Sequence, residues 1–150
     1  MKILIYGYGN PSRQDDALGV LFTDKMEVWA KEQKLSHLSF DTNYQLNIED
    51  ADTISAHDVV YFVDASMEPI DDFSITKVES SNAQIEFTMH AISAGVVLDL
   101  CNQIYGKAPE TYLIHIKGYE WDLEFDKGLS SKAENNLQKA LAYLQEKLMT

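Results

Sequence analysis

Two apolar rhythms alternate along this chain. Ile3-Leu4-Ile5-Tyr6 is an unbroken apolar run stopped by Gly7, the pattern of a strand covered on both faces, as in a parallel sheet. Leu18, Phe22, Met26 and Trp29 then recur at helical spacing, which predicts an amphipathic helix over about 16–32. His37-Leu38-Ser39-Phe40-Asp41 predicts a second strand, and a short helix is expected near Ile48 to Ser55. Val59-Val60-Tyr61-Phe62-Val63 is the strongest strand pattern, and it runs into Asp64. Phe73 to Val78 alternates, as a strand with one exposed face at a sheet edge does. A polar stretch, 79–88, leads to a helix expected from about 89 to 105, capped by Thr88, with Ile92, Val96 and Leu100 as its buried stripe. Tyr112-Leu113-Ile114-His115-Ile116 predicts another strand. The last helix is expected to start at Ser131, with Glu134 completing a capping box and Leu137, Leu141, Leu144 and Leu148 forming its apolar face.

Strand alternating with helix predicts an α/β three-layer sandwich, a mostly parallel five-stranded sheet with helices on both faces. No internal repeat or low-complexity linker interrupts the pattern, so one domain over residues 1–150 is expected. Apolar residues make up 45% of the chain, enough for a real core, which argues against disorder. The formal charge is −12; a nucleic-acid binder carries a basic footprint, and an anionic membrane surface would repel this chain. No apolar run approaches a membrane span, and Met1 to Tyr6 is too short for a cleaved leader. The one cysteine, Cys101, cannot form an internal disulfide and is expected in the core of a helix, which fits a cytoplasmic protein.

Ligands of open α/β sheets collect beyond the carboxyl ends of the strands. Three places there carry chemistry. After the first strand come Gly7-Tyr8-Gly9-Asn10 and then the acidic pair Asp15-Asp16 at the start of a helix. Asp15 and Asp16 can act as helix caps, or one can cap while its neighbour points into the crevice. Asp64 ends a buried strand, at the crevice floor or in a turn. His90 falls in the first turn expected for the middle helix, as a surface residue or as a third member of the group. Together Asp16, Asp64 and His90 offer two carboxylates and an imidazole, a donor set for a divalent first-row ion that leaves positions open for water or substrate.

With these residues in place, the sequence resembles the hydrogenase maturation proteases, endopeptidases that process the large subunit of nickel–iron hydrogenases. Gly7-Tyr8-Gly9-Asn10 through Asp15-Asp16-Ala17-Leu18-Gly19-Val20 is similar to that family's G-x-G-N-x-x-x-x-D-[DE]-x-x-G signature, Val63-Asp64-Ala65 to its second motif, and Met89-His90 to its third metal-site position. Gly118-Tyr119-Glu120-Trp121 through Gly128-Leu129-Ser130 is similar to a segment before the last helix in some members. The resemblance implies an endopeptidase that removes a C-terminal extension from the large-subunit precursor after nickel insertion. It implies that Asp16, Asp64 and His90 contact the nickel, which the substrate supplies, and that other divalent ions can occupy the site. Nickel as Lewis acid and nickel as recognition handle both remain open, and either Asp can serve as base. Two departures stand out. Asp41-Thr42-Asn43-Tyr44-Gln45-Leu46 replaces a Gly-Gly-Thr-like segment that bears on substrate choice, and Ala17 stands where Gly is common.

Other functions compete. A receiver-like phospho-acceptor domain also uses an acidic pair, an Asp after the third strand and a Lys, mimicked here by Asp15, Asp16, Asp64 and Lys117. It leaves no role for His90 or the Gly-x-Gly-Asn turn. A dinucleotide fingerprint fails at Ser12, where its third glycine belongs. A non-catalytic partner-binding domain is the remaining alternative. Trp29 and the terminal leucines are read as core, and Trp121 as a loop anchor or a lining of the substrate path. His37, His57 and His115 show no partner pattern and are left out of the site.

Overall fold

The structure, a computed structural model, describes residues 1–79, 92–123 and 127–150. Strands β1 (Ile3–Tyr8), β2 (Leu38–Asn43), β3 (Val59–Ser66), β4 (Phe73–Lys77) and β5 (Glu110–Lys117) form one sheet in the order β2-β1-β3-β5-β4. β1, β2, β3 and β5 run parallel, and β4 closes one edge antiparallel to β5. This is the mostly parallel five-stranded α/β sandwich that the alternation predicts.

Helices cover both faces. Ile3, Ile5, Tyr61, Val63, Ile114 and Ile116 pack against Leu18, Phe22 and Met26 of α1 (Leu18–Glu32) and Leu137, Leu141 and Leu144 of α4 (Ser131–Met149). Leu4, Tyr6, Val60 and Phe62 point the opposite way, toward Ala51 and Ile54 of α2 (Asp50–Ser55) and Val97, Leu98 and Cys101 of α3 (Ala94–Tyr105). A strand buried on both faces reads as a continuous apolar run, which is why β1 and β3 stand out in the sequence. Trp29 and Leu148 sit at the margin of the first core, and Cys101 lies fully inside the second. Among the described residues no helix is long and apolar enough to cross a membrane.

Several boundaries differ from the sequence pattern. The helix expected from residue 16 begins as a 3-10 turn, Gln14–Ala17, that passes into α1 at Leu18. The helix expected from about 89 starts at Ala94, and its cap is Ser93, whose side chain accepts from Val96 N; Thr88, the expected cap, lies outside the described residues. Its buried stripe is Ala94, Val97, Leu98 and Cys101. Ile92 precedes the helix, and Val96 and Leu100 are only partly buried. The cap of α4 is Ser130, which accepts from Ala133 N. Glu134 is thus one place too far along for a capping box with that serine, which needs its acid at the third helical residue.

The loop between β1 and α1 is shaped by two glycines. Gly9 has φ +140, and a Cβ there would lie 2.2 Å from Asp16 O, so only glycine fits. A Cβ on Gly19 would lie 2.3 Å from Val63 O and 2.7 Å from Tyr8 O. The first turn of α1 thus rests directly on the ends of β1 and β3, which stop pairing at Gly7 and Val63.

Candidate functional site

That close approach brings Asp16 to Asp64. Asp16 is half-buried at the end of the 3-10 turn, where its backbone N–H donates to Arg13 O (2.9 Å) and its Oδ2 accepts from the backbone N–H of Asn10 (2.9 Å). The Asn10 side chain in turn accepts from Ser12 N (2.9 Å), which rounds off the loop. Asp64 lies within β3 rather than just past its end, because Asp64, Ala65 and Ser66 keep pairing with His115, Ile116 and Lys117 of β5. It alternates onto the face of Val60 and Phe62, on the α2/α3 side of the sheet.

Electrostatics marks the two acids as neighbours. Burial first, and the Asp16 charge second, push the Asp64 carboxyl up to about 7, against the opposing effect of the Ala65 backbone hydrogen bond. Burial and then the Asp64 charge push the Tyr8 phenol upward as well. Tyr8 packs edge-on to Phe62 with ring centroids 6.4 Å apart, and so walls the acids on the α3 side. A carboxyl displaced this far by burial and a neighbouring like charge makes Asp64 a candidate functional group.

The raised carboxyl sets the sign of a pH dependence. The folded state holds the Asp64 proton more tightly than the unfolded chain does, so this contribution to stability is complete below about pH 4 and is lost as pH rises through about 7. Asp64→Asn is expected to flatten that slope and to stabilise the protein at pH 8 by roughly 2 kcal/mol, less than the whole shift implies because Asp64 is partly open to solvent. Thermal unfolding of both proteins from pH 4 to 8 checks this.

Asp15 behaves differently from its neighbour. It is fully buried and caps neither the 3-10 turn nor α1. Its carboxylate accepts from Tyr119 N (2.7 Å), Glu120 N (3.0 Å), Ser130 N (2.8 Å) and Ser130 Oγ (2.7 Å). Burial alone would raise its carboxyl, but these hydrogen bonds hold it below the usual carboxylate range. The capping alternative for Asp15 is corrected accordingly: the acid satisfies amides of a distant segment, not those of its own helix.

His90, with Thr88 and Met89, lies outside the described residues. Among the described residues no group of three His, Cys, Asp or Glu side chains is placed to hold a metal ion. The pair Asp16 and Asp64 supplies two oxygen donors and excess negative charge, which suits a divalent cation.

The sequence pattern passed over two neighbours of the site. Tyr8 carries a signal in hindsight, since it follows Gly7 on the same strand face as Tyr6. His115, left aside for lack of a partner, is in register with Asp64 and so shares its face of the sheet; burial lowers its imidazole, opposed by Glu68. Trp121 is a loop anchor: its carbonyl accepts from Arg13 Nε (2.9 Å), and its ring lies 6.0 Å from the guanidinium. The receiver-like layout loses two of its members, because Asp15 is engaged as above and Lys117 Nζ donates to Glu68 O (2.8 Å).

No family model matches the sequence, and no curated protein matches it. Solved structures do match. The chain is similar to the NiFe hydrogenase maturation protease HycI from Thermococcus kodakarensis KOD1, with 20% identity, a TM-score of 0.75, and coverage of 99% of this chain and 93% of that one. It is similar to the hydrogenase maturating endopeptidase HybD from E. coli, with 20% identity, a TM-score of 0.70, and coverage of 98% and 94%. It is also similar to the NiFe hydrogenase maturation protease HybD from Thermococcus kodakarensis, with 22% identity, a TM-score of 0.63, and coverage of 100% of each chain. Over nearly its whole length, this chain has the fold of the hydrogenase maturation proteases.

Proposed function

We propose that this protein is a cytoplasmic endopeptidase that removes the C-terminal extension of a nickel–iron hydrogenase large-subunit precursor once nickel has been inserted. The observation that carries this reading is the neighbouring pair Asp16, in the turn that leads into α1, and Asp64, near the carboxyl end of β3, in a fold shared with hydrogenase maturation proteases. Nickel is part of the substrate here. It arrives in the precursor's own ligands and docks against Asp16, Asp64 and, by the sequence resemblance, His90.

The chain's own groups have separable tasks. Asn10 fixes one oxygen of Asp16, and with it the plane in which that carboxylate meets a cation. Asp64 holds a proton near neutrality and gives it up as positive charge docks, so binding and proton release are coupled. With that proton gone, either carboxylate, Asp16 or Asp64, is free to take the proton of the attacking water. Bound nickel supplies Lewis acidity toward the scissile carbonyl as well as a means of recognition. Incubation with nickel-loaded precursor tests the proposal. The expected result is a large subunit shortened at its C-terminus, read by intact mass, and an unchanged mass would refute it.

A further inference from the structure

We infer that Asp15 is a positioning residue: it gathers the amides of Tyr119, Glu120 and Ser130 and the Ser130 hydroxyl, and thereby fixes where the next residue, Asp16, presents its carboxylate. The inference deepens the proposed function, since it takes Asp16 to meet the substrate's cation.

The loop is built residue by residue against one segment. Arg13 Nε donates to Trp121 O (2.9 Å). Gln14 donates from Nε2 to Glu120 Oε2 (3.3 Å), and its Oε1 accepts from Asp122 N (3.0 Å). Asp15 donates from its backbone N–H to Glu120 O (3.0 Å), while its side chain takes the four donors named above. Asp16 then turns the other way, to Arg13 O and Asn10 N. Three consecutive side chains thus grip the segment between β5 and α4, and the fourth is left facing Asp64.

Backbone geometry at Gln14 shows that this grip constrains the loop. Gln14 has φ +38 and is buried. A non-glycine residue in that region is strained and persists only where its surroundings over-determine it. The donors that Asp15 collects stand 104 to 115 residues away in sequence, so it joins two distant parts of the chain rather than finishing a local turn. Charge-assisted bonds of this kind are the strong ones, and a site group is useful only if held within about 0.5 Å of its working place.

Two variants, one rescue and two readouts test the inference. Ser130→Ala keeps the Ser130 amide and removes both the hydroxyl donor to Asp15 and the cap of α4. Exchange at Ala133 therefore serves as the control for the lost cap, and Ser130→Thr, which keeps the hydroxyl, should restore Asn10. Asp15→Asn keeps the size but leaves a single acceptor oxygen for four donors. The first readout is hydrogen exchange at Asn10, whose N–H is held by Asp16. The second is steady-state cleavage of nickel-loaded precursor. In Ser130→Ala we expect Asn10 to lose protection while Ile5, in the middle of β1, keeps its own. We expect kcat to fall about 10-fold with KM unchanged, in line with the 10–100-fold typical of groups that orient a metal-contacting residue. Asp15→Asn should show the larger loss in both; if it does not fold, Ser130→Ala decides. Unchanged Asn10 protection and unchanged kcat in a folded variant overturn the inference. A wild-type protein that cleaves no precursor overturns the proposed function instead, and the exchange at Asn10 still decides the placement of Asp16.

Discussion

Asp64→Asn and Asp16→Asn are each expected to abolish trimming of the precursor, with a loss of at least about 100-fold, the lower end of what a positioned carboxylate contributes to proton transfer. Asn has nearly the shape of Asp, so neither change opens a cavity, and the fold should survive. Asp64→Asn carries a second signature. It removes a half-buried acid that desolvation and the Asp16 charge hold at about 7, so activity should disappear while stability at pH 8 rises. A mutation that loses activity by loosening the fold moves both quantities down together. His90→Ala is expected to join the two acid variants, on the strength of the sequence resemblance. Trimming at the normal rate by all three variants, measured by the mass of the large subunit over time, would show that the site has been assigned to the wrong residues.

Precursor without nickel is expected to remain uncut, and loading it with nickel to convert it to substrate. Two carboxylates set close together and partly out of water repel one another, and in the free protein a proton on Asp64 relieves this. A metal-free tail brings no charge to replace that proton. A cation that docks there supplies several kcal/mol of electrostatic stabilisation, which at 1.36 kcal/mol per tenfold corresponds to a rate ratio of about 100 or more. Parallel reactions on loaded and unloaded precursor measure this ratio. Equal rates would reject a mechanism in which the substrate completes the site.

The parts of this fold that were legible from the sequence are those where burial is complete. Ile3-Leu4-Ile5-Tyr6 and Val59 through Val63 are buried on both faces, so no polar residue interrupts their pattern. Leu18, Phe22 and Met26 are fully buried and report the phase of α1 directly. At the amino end of α3, Thr88 and Ser93 are both competent caps and nothing in local sequence ranks them; its phase is equally ambiguous, because Val96-Val97-Leu98 and Leu100-Cys101 are apolar at adjacent positions. A one-residue ambiguity of the same kind, Ser130 against Ser131, misplaced the cap of α4.

That Asp16 and Asp64 come near one another was legible because the strand-end rule reduces the search to a few positions. The role of Asp15 was not. All four of its donors come from residues 119, 120 and 130, and no local pattern announces a partner so far along the chain. In sequence the segment from Gly118 to Ser130 shows its likeness to some family members and a candidate anchor in Trp121, but no sign of a partner at Asp15. His115 is hidden in the same way, since its register with Asp64 exists only once β3 and β5 lie side by side.

X-ray diffraction from crystals soaked in nickel chloride, recorded at the nickel absorption edge, tests the central claim most directly. The account predicts one anomalous peak bonded by carboxylate oxygens of both Asp16 and Asp64, with the imidazole of His90 on the same ion. Well-ordered carboxylates at residues 16 and 64 with no shared peak, or nickel bound only at other side chains, would contradict it.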